Sequence, residues 1–156
     1  YDQIVDEKKD LNEIQKSREY FELIINNYPN TDYAFDSKYK LELTIQMMAS
    51  KEMYLARYYI EREKWIPAIN RFKKVVNDYD TTIYVEEALH RLVELHYKVG
   101  LIDESKKYAS LLGYNYQSGK WYEQSYKLIN TNYKTKKDLK QDKRNSILKR
   151  FKKLFK

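Results

Sequence analysis

Few side chains in this sequence could carry chemistry, and their spacing does not assemble a catalytic or metal-binding set. The chain has no cysteine and two histidines, His90 and His96. Six positions apart on a helix, these imidazoles face different directions, and a zinc site needs at least three protein ligands. Glu86 and Glu87 are adjacent, so on a helix they point apart and suit its first turn better than acid–base work. We therefore predict a protein that is not an enzyme and needs no metal or cofactor.

One helical face concentrates charge that could bind a partner. Arg71, Lys74 and Asp78 lie at positions i, i+3 and i+7, which share one side of a helix. On this face Arg71 could form a charge-assisted hydrogen bond with a carboxylate of another protein. Alternatively, the face could be an ordinary solvated one, with charge pairs inside the helix. The spacing leaves both interpretations open, and it makes these three residues the candidate partner-binding site.

The net charge of +7 comes from the C-terminal segment rather than from the chain as a whole. Residues 134–156 contain eleven lysines and arginines against two aspartates, a balance of +9, which leaves −2 for residues 1–133. The same segment carries an apolar stripe at helical spacing, made of Ile147, Leu148, Phe151, Leu154 and Phe155. This pattern predicts a basic amphipathic helix that could bind an anionic membrane surface or a partner groove. The alternatives are that the segment packs back on the last repeat as a cap, or stays disordered when alone in water.

The rest of the sequence repeats itself with a period of 37 residues. The first set of aligned positions is Leu55, Tyr59, Ala68, Phe72, Val75, Tyr79 and Thr81, and the second is Leu92, His96, Ser105, Ala109, Leu112, Tyr116 and Ser118. A period of roughly 34 to 40 residues is typical of helical repeat arrays, in which each unit buries its apolar face against its neighbours. Most of the seventeen tyrosines fall at helix-packing positions. With a body that is net acidic, we expect no nucleic-acid partner.

Apolar spacing predicts helices over residues 10–28, 67–79, 85–99, 103–112 and 121–133, with a turn over 113–119. A further helix is predicted from residue 32 to about 59, with a possible break near Ala49 and Ser50. We expect Asn30, Thr31 and Asp32 to cap that helix. Pro67 is expected at the first position of the helix over 67–79. Gly100 is expected to end the helix over 85–99. We expect Thr81 or Thr82 to cap the helix over 85–99.

The first repeat unit is longer than the second. Tyr28, Tyr79 and Tyr116 each end a predicted helix, and the two intervals between them are 51 and 37 residues. The difference of 14 residues predicts a lengthened or an additional helix in the first interval. The predicted organisation is a partial unit over 1–30, an extended unit over 31–82, a unit over 83–118, a last helix over 119–133 and the basic tail over 134–156.

The repeated residues resemble the tetratricopeptide repeat. That pattern has a large, a small and an aromatic residue on its first helix, then a small, an aromatic and a small residue on its second. The matching residues here are Leu55, Ala56, Tyr59, Ala68, Phe72 and Val75. The resemblance implies an all-α fold, a tetratricopeptide-like helical repeat superhelix with a basic amphipathic C-terminal extension.

Several stretches also resemble the BamD (ComL) family, the lipoprotein subunit of the machine that folds β-barrels into the bacterial outer membrane. They are residues 1–5, 28–34, 56–59, 68–72, 87–94 and 112–116. The match spans about residues 1–130 and corresponds to the C-terminal half of the family. The family's lipid-carrying cysteine and first repeats are absent from this chain, so we expect a C-terminal portion of a longer, lipid-anchored protein.

The resemblance implies a non-catalytic scaffold at the periplasmic face of the outer membrane. In the family, the C-terminal repeats dock onto the periplasmic POTRA region of BamA and onto accessory lipoproteins. An arginine at the position of Arg71 resembles the one implicated in the BamA contact. Two alternatives stay open: a tetratricopeptide adaptor of another envelope or secretion complex, and a binder of anionic surfaces driven by the tail.

Overall fold

The computed structural model describes residues 11–117, 119–130, 141 and 143–145. Six helices lie in the first two ranges: α1 (Leu11–Asn27), α2 (Asp32–Glu61), α3 (Trp65–Asp78), α4 (Val85–Lys98), α5 (Ile102–Asn115) and α6 (Lys120–Ile129). Each of the first five helices packs against the next one, and α6 packs against both α4 and α5. No strand occurs in the part of the chain that the structure describes. The all-α repeat fold predicted from the sequence is therefore confirmed, and the apolar stripe of the tail lies outside the described residues.

The repeat of the sequence is also a repeat of the backbone. Helices α3 and α5 begin 37 positions apart, at Trp65 and Ile102, and both contain 14 residues. The turn before each helix holds one residue in the left-handed region, Glu63 with φ of 57° and Gly100 with φ of 84°. In both turns the next amide donates to a carbonyl five residues back, with N···O distances of 2.9 Å and 2.8 Å. The two turns therefore have the same backbone conformation, although the left-handed position is a glycine in one and a glutamate in the other.

Close helix packing explains the small residues of the repeat. Ala56 on α2 and Ala68 on α3 have no exposed surface, and both lie in the largest core cluster beside Phe72 and Leu92. A second cluster joins α1 to α2 through Ile14 and Ala49, and a third joins α4 to α5. Small side chains let the helix axes approach, and large ones fill the gaps between helix pairs. Burial thus runs continuously from α1 to α6, as a repeat array requires.

Helix α2 is one continuous helix of 30 residues, whereas α4 has 14. The possible break near Ala49 and Ser50 does not occur. Both residues lie inside the helix, and Ala49 is fully buried against the cluster that contains Ile14. The extra residues of the first unit therefore lengthen one helix. Helix α2 packs against both α1 and α3. Within the described ranges, no helix combines the length and the apolar character needed to cross a membrane.

Local signals at the helix ends were predicted with mixed success. Thr31 caps α2, accepting from the amide of Ala34, as expected. Pro67 is the third residue of α3 rather than the first, although any position in the first turn tolerates a missing N–H. Neither Thr81 nor Thr82 caps α4, whose N-cap residue is Tyr84. The Thr82 hydroxyl instead donates to the carbonyl of Tyr79 at 2.7 Å and so stabilises the turn before the helix.

The turn expected from Gly113 begins later in the chain. Helix α5 continues through Gly113 to Asn115. A Cβ atom at Gly113 would lie 2.8 Å from the hydroxyl of Tyr126, so the missing side chain makes room for α6. This glycine serves close packing between helices rather than a change of chain direction.

The two left-handed turns predict opposite responses to substitution. We expect Gly100→Ala to lower the free energy of unfolding by about 1 kcal/mol, because its φ of 84° is unfavourable for any residue with a Cβ. Glu63→Gly removes the same strain and should leave stability unchanged or higher. Urea unfolding followed by circular dichroism would measure the stability of both variants. An unchanged midpoint for Gly100→Ala would contradict a left-handed backbone conformation at Gly100.

Candidate partner-docking site

A cluster of three charged residues joins α2 to α3. Arg71 Nη1 donates to Glu52 Oε2 at 3.0 Å, and Lys74 Nζ donates to Glu52 Oε1 at 2.7 Å. The two cations are three residues apart, so they extend from neighbouring turns of α3 toward the same side of α2. Each oxygen of the carboxylate therefore binds a different cation.

Burial within this cluster is strongly unequal. The side chain of Glu52 is 1% exposed, whereas those of Arg71 and Lys74 are 37% and 41% exposed. The carboxylate thus lies beneath the surface, and the two cations connect it to solvent. An unpaired carboxylate buried to this extent would be costly, and the two donors offset that cost.

The cluster also acts on the protonation of its cations. The hydrogen bond to Glu52 raises the pKa of Arg71 above its ordinary value, against the opposing effect of burial. The same two causes act on Lys74, and its pKa is also raised. Both side chains therefore stay positively charged at neutral pH. With one carboxylate and two cations, the formal charge of the cluster is +1.

Lys74 also lines a polar groove where α1, α2 and α3 meet. The groove has a volume of about 350 Å³ and is lined by Gln15, Arg18, Glu19, Glu22, Met48, Lys74 and Tyr79. Within it, Arg18 Nε donates to Glu22 Oε1 at 2.8 Å. The charged cluster is therefore continuous with a concave surface rather than isolated on a convex helix.

The structure brings together two of the three candidate partner-binding residues. Arg71 and Lys74 share Glu52, whereas Asp78 lies exposed at the last position of α3 and takes no part in these ion pairs. Sequence reasoning missed Glu52, because a glutamate on a charge-rich helix gives no sign of burial. The 37-residue register could have revealed it, since position 52 corresponds to Leu89, a core residue of the next unit.

A second polar network resembles a catalytic arrangement but is buried. His90 Nδ1 lies 2.8 Å from Ser125 Oγ, and His90 Nε2 lies 3.3 Å from Glu94 Oε1. Serine, histidine and carboxylate follow one another as in a nucleophilic triad. However, His90 and Ser125 are almost fully buried, and the ring of Trp121 packs against His90. A substrate has no access to this serine, so the network serves to fasten α6 to α4.

The groups around this network favour the ionised carboxylate of Glu94. Burial acts to raise the pKa of Glu94, but hydrogen bonds and charges from His90 and Arg91 outweigh it, so the pKa is lowered. Among the residues that the structure describes, no group of three histidine or acidic side chains is placed to hold a metal ion. The functional candidate in the described chain is thus the charged cluster between α2 and α3.

The fold defines a class, the proteins built from tetratricopeptide-like helical repeats. The chain belongs to the YfiO family of outer membrane lipoproteins, whose model matches residues 1–112. This match confirms the family resemblance carried by the short sequence stretches described above.

Curated relatives agree with this family. The chain is 47% identical over 113 residues to the outer membrane protein assembly factor BamD of Rickettsia prowazekii, covering 72% of this chain and 45% of that protein. It is 36% identical over 132 residues to the BamD of Caulobacter vibrioides, covering 85% of this chain and 43% of that protein. The chain thus spans less than half the length of each of these two relatives.

Tyr79, which lines the groove and is almost fully buried, should affect stability in alkali. Burial raises the pKa of its phenol above the ordinary tyrosine value of about 10. The unfolded chain therefore loses this proton first as the pH rises. The stability linked to the neutral phenol is complete below about pH 10 and is lost above it.

We expect Tyr79→Phe to lose less thermal stability than the wild type as the pH rises above about 10, because it has no phenol to ionise. Thermal melts followed by circular dichroism would measure the difference. Tyr114→Phe is the matched control, since Tyr114 is 83% exposed. Parallel alkaline losses in all three proteins would contradict a role for Tyr79.

Proposed function

We propose that this chain is a scaffold in the assembly of outer membrane β-barrel proteins, and that it docks the periplasmic POTRA region of BamA through α3. The observation that carries this proposal is Arg71, a partly exposed guanidinium that a buried carboxylate holds beside Lys74, which lines a polar groove. Family membership supports the choice of machinery, because relatives of this chain are outer membrane protein assembly factors.

Arg71 has the geometry to act as an anchor. A guanidinium has five N–H donors in one plane, and in this structure Nη1 donates to Glu52. The remaining donors can bind a second carboxylate, which would come from the partner. Charge-assisted hydrogen bonds of this kind are stronger than neutral ones, and arginines are frequent among the residues that dominate interface energies.

The mechanism is positional rather than chemical. A packed helix pair presents Arg71 and Lys74 on a rigid surface, so little conformational freedom is lost when a partner binds. We extend the proposal to other lipoproteins of the assembly machinery as further partners. The expected location is the periplasmic face of the outer membrane, with a lipid anchor in the full-length protein.

Charge reversal at Arg71 tests the docking role. We expect Arg71→Glu to weaken binding to the POTRA region of the cognate BamA by about 2 kcal/mol or more, roughly thirtyfold in Kd. The reason is that the carboxylate introduced at position 71 would face the carboxylate of the partner. Biolayer interferometry with the 156-residue chain would measure the affinity. Unchanged circular dichroism would exclude unfolding as the cause.

Lys107→Glu is the matched control for this experiment. Lys107 also pairs with a glutamate, Glu104, but it lies on α5 and is strongly exposed. The control reverses the same charge away from the proposed surface and should bind like the wild type. Equal losses in both variants would indicate a nonspecific electrostatic effect, and full binding by Arg71→Glu would place the interface elsewhere.

The basic tail supports a second candidate function, binding to an anionic lipid surface. The supporting observation is its sequence, an apolar stripe flanked by an excess of nine positive charges over residues 134–156. We expect vesicles that contain anionic lipid to increase the helical circular dichroism of the whole chain, since amphipathic basic segments fold on such surfaces. A chain ending at residue 133 should show no increase. An equal lipid-induced change in both chains would contradict lipid binding by the tail.

A further inference from the structure

We propose that Glu52 is a positioning residue of the docking surface: it holds Arg71 and Lys74 as a fixed pair of cations that binds one carboxylate of the partner. This inference rests on the proposed docking function and names the residue that fixes the two cations of the docking surface. It also assigns a role to a residue that is itself hidden from the partner.

The internal repeat indicates that the fold does not need these charges. In the next unit, 37 positions on, Glu52, Arg71 and Lys74 correspond to Leu89, Tyr108 and Leu111. There the fully buried leucine packs with the half-buried tyrosine in an ordinary apolar cluster. The same backbone therefore accepts an apolar set at these places. Buried ion pairs can often be replaced by apolar residues without loss of stability, so we infer that the charges of this unit serve recognition.

The geometry explains how one carboxylate can order two long side chains. Glu52 lies beneath both cations, with each oxygen bonded to a different one. Arginine and lysine have many rotamers, and fixing them on binding reduces affinity. Here the ordering takes place during folding instead. The surface that a partner meets thus has its two cations already placed.

The charge balance of the cluster specifies what it can bind. Two cations and one carboxylate leave a formal charge of +1, which one further carboxylate would neutralise. Such a carboxylate can accept from Arg71, which has donors beyond the Nη1 that Glu52 engages, and from Lys74, whose ammonium has three. We therefore expect the partner to contribute an aspartate, a glutamate or a chain terminus.

Glu52→Gln tests this role, because charge and positioning predict opposite results. If only charge mattered, removing a carboxylate would make the surface more positive and would strengthen binding to an acidic partner. If Glu52 positions the cations, the variant should bind the POTRA region of BamA about tenfold more weakly, mainly through faster dissociation. In an Arg71→Ala background, Glu52→Gln should have a much smaller effect, since the two residues act together.

Two further variants guard against a trivial loss of folding. Glu52→Leu introduces the residue that the next repeat unit has at this position, so it should keep the thermal stability of the wild type while binding weakly. Glu87→Gln is the matched control, since Glu87 also bridges two helices, through Arg57, away from α3. It should bind like the wild type.

The outcomes separate this inference from the function on which it rests. Weaker binding by both Glu52 variants, with unchanged melting temperatures, would support the positioning role. Wild-type or tighter binding by both variants, alongside a loss in Arg71→Glu, would overturn the role of Glu52 and leave the docking function intact. A wild-type chain that does not bind the POTRA region would overturn both proposals.

Discussion

The fold depends on one constraint, that no helix pair of this chain can bury its apolar face alone. Each helix must cover its neighbour, and the close approach this needs is possible because fully buried alanines such as Ala56, Ala68 and Ala88 occupy the contacts. Helices α2, α3, α4 and α5 each meet the constraint on two sides, since each packs against the helix before it and the helix after it. The position of every surface group, including the charged cluster, follows from this chain of contacts.

The charged cluster is an exception within that scheme. A repeat array can fill equivalent positions with equivalent side chains, as at the buried pairs Ala68 and Ser105 or Val75 and Leu112. At Glu52 the array instead buries a carboxylate, and the cost of its desolvation is offset by two donors from α3. This buried departure from the repeat is the basis on which we propose a docking site here. Exposed tyrosines such as Tyr20, Tyr33 and Tyr39 are common in this chain and by themselves indicate no partner.

Local signals in the sequence were enough to predict the ends of most helices. Thr31 acts through its side chain and Gly100 through its backbone conformation, so both roles can be predicted without the tertiary fold. The continuity of α2 at Ala49 and the helical placement of Gly113 could not be predicted in this way. Both depend on a side chain from a neighbouring helix: Ile14 of α1 packs against Ala49, and Tyr126 of α6 lies against Gly113. For the site, the helical spacing identified Arg71 and Lys74, but the residue that joins them comes from another helix.

The shared carboxylate makes positions 52, 71 and 74 a single unit of evolutionary change. Loss of Glu52 alone leaves two like charges side by side, and loss of either cation leaves a buried carboxylate with one partner. The apolar alternative present in the next unit differs at all three positions. Conversion of the charged set into the apolar one therefore takes three substitutions, and any route that removes Arg71 or Lys74 before Glu52 passes through a chain whose buried carboxylate has lost a donor.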